Sequence, residues 1–192
     1  NLSSDFNLNH YIQTNIMDQF TDIELRILNI IALCRRPIPF ELFVKLSCGQ
    51  FETIYYSVDK FVRRNIVEKT SDNMYSMHAL LKEQFARLSI LDAQLLHREI
   101  AENLESKDYI EISFHYASCG RLKKALSILI SKFEELISSG SATLMYKQVL
   151  SYEKLIQSDE IAQYHFLLGR LFVVKGQYDL AIDSLNKIPN EA

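Results

Sequence analysis

From residue 79 to the end of the chain, apolar residues recur at spacings of three and four, with no strand-like alternation between them. That period gives each segment one apolar stripe, and such stripes are buried only when helices stack on one another. Helices are expected over 79–91, 93–106, 108–118, 122–138, 141–157, 160–174 and 178–188, with Gly120, Gly140 and Gly176 in the gaps. Most of the chain is thereby committed to a mainly α fold.

The stretch before residue 79 is organised differently. Thr21-Asp22-Ile23-Glu24 fits a capping box, in which a hydroxyl and a carboxylate each satisfy an open backbone N–H. The helix Ile23–Cys34 is apolar nearly all round, and Pro37-Ile38-Pro39 ends it. A short helix over Phe40–Leu46 and a third over Phe51–Arg64 follow. The third is expected to bury Phe51, Ile54, Val58, Phe61 and Val62 and to show Tyr55, Tyr56, Lys60 and Arg63. Ile66–Thr70 and Met74–Met77 flank Ser71-Asp72-Asn73 and read as a small β-hairpin. Three helices and a two-stranded wing make the winged-helix arrangement, so 21–91 is expected to be a winged-helix domain with its connecting helix. Residues 1–20, with Phe6, Leu8, Tyr11, Ile12, Ile16 and Met17 at helical spacing, read as the end of a preceding helical domain or a linker helix.

Composition excludes several functions. The 192 residues carry 21 Lys and Arg against 24 Asp and Glu, a formal net charge of −3. Residues 1–91 are balanced, which removes the electrostatic attraction that dominates nucleic-acid binding. None of the five glycines is followed by lysine, so no P-loop is present, and there is no GxSxG nucleophile elbow. His115 and Cys119 are four apart, but two ligands do not make a structural zinc site. No catalytic residue and no metal is therefore expected. Three cysteines without a CxxC pair, no signal peptide and no membrane-length apolar run point to a cytoplasmic setting.

The last two helices resemble a tetratricopeptide repeat (TPR), with Leu168-Gly169, Phe172, Gly176, Tyr178, Ala181 and Leu185 at its consensus positions and His165 where the family usually has Trp. A weaker copy lies 56 residues earlier, at Tyr109, Ile112, Tyr116, Gly120, Leu122, Ala125 and Leu129, with Ser113 in place of the packing glycine. An extra helix near 141–157 separates the two, so 92–192 is expected to be an irregular TPR-like solenoid. The resemblance implies a concave face that takes a protein or peptide. Its lining would be Gln163, Phe166, Arg170 and Val173 in one repeat and Lys107, Ile110 and Phe114 in the other.

A broader resemblance rests on Met77-His78-Ala79-Leu80-Leu81-Lys82-Glu83, where a strand ends in Met-His ahead of a helix. With Pro37-Ile38-Pro39-Phe40, Leu96-His97-Arg98-Glu99-Ile100-Ala101 and Ser113-Phe114-His115-Tyr116, this is similar to the winged-helix and repeat portion of STAND proteins, a family of signalling NTPases. The resemblance implies that this chain is a non-catalytic sensor segment of a longer protein. Its nucleotide-binding domain would lie upstream and bind ATP or ADP, and His78 would meet a phosphate of ADP in the intact molecule. Ala79 stands where the family's Met-His-Asp motif has Asp. Two other readings fit the same elements: a transcription regulator with a DNA-binding winged helix and a ligand-sensing TPR region, or a freestanding TPR adaptor.

Overall fold

The computed structural model describes residues 19–70, 72–86, 90–105 and 108–189. The expected helix within residues 1–20 lies almost wholly outside them. The chain is mainly helical, with eleven α-helices among the described residues and one small antiparallel sheet. It divides into two compact units, one ending at Asn103 and the other beginning at Leu104.

In the first unit, α1 (Asp22–Leu33) opens with the expected capping box. The Glu24 N–H donates to Thr21 Oγ1 at 3.3 Å, and the Thr21 N–H donates to Glu24 Oε2 at 3.0 Å. Ile27, Leu28, Ile30 and Ile31 are fully buried, so α1 is the central helix of the unit. Each such side chain contributes about 1.5–3 kcal/mol through removal from water. Around α1 stand α2 (Phe40–Leu46), α3 (Phe51–Arg63), α4 (Ala79–Phe85) and α5 (Ile90–Asn103). Polar side chains tie them to it. Lys60 of α3 donates to Glu24 at 2.6 Å. Arg26 donates from Nε to the Leu46 carbonyl at 3.1 Å and pairs through its other end with Glu99 of α5. Lys82 of α4 donates to the carbonyl of Cys34, the residue that closes α1, at 2.6 Å.

The sheet has one strand more than the hairpin expected. β1 (Ile38–Pro39) pairs with β3 (Met74–Ser76), which also pairs with β2 (Glu68–Lys69), giving the antiparallel order β1-β3-β2. Prolines on both sides of Ile38 force extended backbone there, and Pro39, lacking an N–H, is confined to an edge strand. The same residues that stop α1 therefore build a strand. A second difference is Phe51. It lies more than half exposed, because it opens α3 and its ring rests on Phe40 and Tyr55 instead of entering the core.

The second unit is wholly helical among its described residues. α6 (Tyr109–Ser118) packs on α7 (Leu122–Ser131), and α10 (Ile161–Val174) packs on α11 (Tyr178–Leu185). Gly120 and Gly176 join the two pairs with φ of +77° and +71°, the left-handed conformation that ends a helix at least cost when no Cβ is present. The single helix expected over 122–138 is two, α7 and α8 (Phe133–Ser138), separated at Lys132. The Ser131 hydroxyl donates to the Ile128 carbonyl at 2.9 Å just before the break, a local bond of the kind that bends helices. The helix expected over 141–157 is shorter, α9 (Ala142–Ser151), with a 3-10 turn at Glu153–Leu155. α9 packs on both α6 and α10. No helix among the described residues is long and apolar enough to cross a membrane.

Candidate binding surface

The two helix pairs are closed by different chemistry at equivalent places. A Cβ on Gly169 would stand 2.9 Å from Leu185 Cγ and Cδ2, so α10 and α11 approach closely enough that any larger residue there requires Leu185 to shift. In the α6–α7 pair the corresponding residue is Ser113, fully buried. Its hydroxyl donates to the Ile110 carbonyl at 2.8 Å and accepts the Tyr152 O–H at 3.1 Å. Tyr152 follows the inserted helix α9, which thereby supplies the partner that a buried hydroxyl needs.

Gln163, Phe166, Arg170 and Val173 fall on successive turns of α10, and the structure brings them to one face. Two of them are already engaged. Arg170 pairs with Glu134 of α8, and its guanidinium lies 3.7 Å over the ring of Phe133 and 5.8 Å from that of Phe166. Gln163 Nε2 donates to Ser127 Oγ of α7 at 3.3 Å. That hydroxyl spends its own proton on the Lys123 carbonyl at 2.8 Å, so the amide must present its NH2 to Ser127. Gln163 Oε1 is left shielded and without a hydrogen-bond partner. Phe166 and Val173 stand 40% and 48% exposed. On α6 Ile110 is buried and Phe114 is half-buried, and Lys107 lies outside the described residues.

The partners of this face, Ser127, Phe133 and Glu134, were not among the residues expected to line it. They come from a neighbouring helix pair and from α8, whose break at Lys132 the periodicity does not register. The nearest signal in the sequence is Phe133-Glu134, an aromatic–acid pair suited to hold an arginine.

His78 is exposed and is the N-cap of α4. Its Nδ1 accepts the Leu80 N–H at 3.4 Å, which leaves the proton of a neutral ring on Nε2, facing away from the helix backbone. Elsewhere, His165 joins α10 to α11. The Ser184 hydroxyl donates to the His165 carbonyl at 3.1 Å, and Oγ lies 3.3 Å from His165 Nδ1. Burial, and then the charge of Lys187, hold this imidazole below its ordinary pKa, against the opposing pull of Glu153.

Comparison with protein-family models, with curated proteins and with solved structures finds no match for the chain.

Proposed function

We propose that the second unit is a TPR-like array that binds a segment of another protein along α10, and that the first unit is a winged helix relaying this event to a nucleotide-binding module upstream. Catalysis is assigned to that module and not to this chain. The observation that carries the reading is the α10 face. It sets two exposed apolar side chains, Phe166 and Val173, on either side of an arginine and beside the unsatisfied amide oxygen of Gln163. Glu134, which holds Arg170, is itself 81% exposed, and an ion pair so open to water contributes little and is readily exchanged. A partner bringing an apolar side chain and a carboxylate can therefore take Arg170 from Glu134 at small cost. A backbone N–H from the same partner supplies the donor that Gln163 lacks once its amide turns outward.

The STAND-like reading of the first unit is supported by the Met77-His78 junction and by the tautomer of His78. An Nε2–H at a helix start is a donor of the kind that a phosphate oxygen accepts. ADP is then the expected ligand of the intact protein, with His78 as one contact.

Peptides selected from a random display library on the whole chain test the array. Acidic–apolar sequences are expected, with binding reduced roughly tenfold by Arg170→Glu and by Phe166→Ala. Selected peptides that ignore both substitutions would remove the α10 face from the reading. Coding sequence upstream of residue 1 tests the relay, since a GxxxxGK[ST] motif must occur there.

A further inference from the structure

Five aromatic rings meet on one side of the first unit. Phe51 and Tyr55, one turn apart on α3, lie nearly parallel, with an interplanar angle of 13° and centroids 6.4 Å apart. Phe40 meets them at 5.6 and 6.2 Å and reaches Tyr75 of β3 at 6.1 Å. Tyr56 extends the strip, its ring 5.8 Å from that of Tyr55. Beneath it Phe43, Ile54, Val58 and Phe61 are buried, whereas Phe51, Tyr55 and Tyr56 are all more than half exposed. A crevice bounded by Tyr55, Val58, Asp59, Lys69 and Tyr75 runs beside the strip.

We propose that this strip docks an extended, proline-rich polypeptide segment. The complementarity lies first in hydrogen-bonding character. The Tyr55 and Tyr56 hydroxyls make no hydrogen bond to another described residue, and the Lys69 ammonium, 5.8 Å over the Tyr75 ring, has no ion-pair partner among them. The nearby carboxylate of Asp59 is taken by Arg63 at 2.7 Å. The surface therefore offers flat rings and open donors. A proline-rich segment offers the converse: apolar rings, no N–H at each proline, and carbonyls left unbonded by the polyproline II conformation. Such segments dock in aromatic-lined grooves because they are already extended and lose little freedom on binding.

Charge selects against the other polymer that stacks on aromatic rings. Outside the Asp59–Arg63 pair, Glu52 and Glu68 offset Arg64 and Lys69, so a phosphodiester backbone gains no net attraction.

The probe is decaproline, titrated into the whole chain and followed by amide and tyrosine-ring NMR shifts. Saturable shifts confined to α3, Phe40 and β3 are expected. Tyr55→Ala together with Tyr56→Ala is expected to weaken binding roughly tenfold or more, as loss of interfacial tyrosines commonly does. Tyr56→Ala alone, at the most exposed ring, guards against a folding effect in the double variant and should still weaken binding measurably. The proposal is overturned by an absence of saturation, by equal binding of a glycine-serine decapeptide, by affinity unchanged in both variants, or by tighter binding of oligothymidylate than of decaproline. It draws nothing from the reading of the second unit, and the two fail separately.

Discussion

Single residues in this protein carry more than one duty, and Glu24 shows how far that goes. Its carboxylate closes the cap of α1 by accepting the Thr21 N–H and also receives Lys60 from α3. Burial alone would raise its pKa, but the bonds from Lys60 and Thr21 outweigh burial and hold it below the ordinary glutamate value. A carboxyl whose pKa is depressed on folding binds fewer protons folded than unfolded. Its stabilisation is therefore complete above the unfolded pKa and fades as pH falls through the folded one. The expected outcome is a urea midpoint that drops as pH falls through and below the ordinary glutamate range, with a smaller drop in Glu24→Gln. Equal pH slopes in both proteins would show that the Lys60 bond adds nothing. The cap was legible in the sequence, since Thr-x-x-Glu before an apolar run fixes which groups must meet. Lys60 was not, because its partner lies 36 residues away and the sequence shows it only as an exposed cation.

At the scale of elements, the sequence reports what a segment is and misses what its neighbours do to it. Helices were legible wherever an apolar period ran uninterrupted, as in α1, α6 and α10. β1 was hidden because Pro37-Ile38-Pro39 announces the end of a helix so plainly that its second role, pairing Ile38 with Tyr75, leaves no local trace. The break at Lys132 was hidden because apolar spacing continues across it: Leu129, Phe133 and Leu136 are all buried. The crossing of α10 and α11 was legible, since Gly169 and Ala181 are small at the required places. That crossing gives a direct expectation. Gly169→Ala puts a methyl 2.9 Å from Leu185, where side chains cannot stay without moving. Helix propensity favours alanine by about 1 kcal/mol, and overpacking costs typically 1–3 kcal/mol, so a net loss is expected. Leu185→Ala on the same background relieves the clash, and a double-mutant cycle in thermal unfolding should show strong coupling between the two positions. Additive effects would mean that Leu185 has room to turn away.

Taken as a whole, the chain is two cores with two habits of surface. The first is knit by long-range polar ties from α1 and exposes aromatic rings on α3 and aliphatic side chains, Leu80, Ile90, Leu91 and Leu95, on α4 and α5. The second holds two helix pairs with α8 and α9 between them in the chain, and satisfies Ser113 from Tyr152 at the end of α9. The candidate residues on α10 follow from the resemblance to TPR units, and they share a face because a helix face is a property of one segment. Their engagement with Ser127, Phe133 and Glu134 depends on how helices stack, which spacing does not encode. Two of this unit's three left-handed glycine joints have a further consequence in handedness. At Gly120 and Gly176 the backbone takes a conformation natural to mirror-image amino acids, and a Cβ built there meets nothing within 4 Å. D-alanine favours this left-handed backbone, so chemical synthesis with D-alanine at both joints restricts the unfolded chain while leaving the folded backbone unstrained. Stability should rise by about 1–2 kcal/mol in total. L-alanine at the same two positions meets no neighbour within 4 Å, yet should lower it, because an L residue is strained at this φ: the joints select chirality, not size.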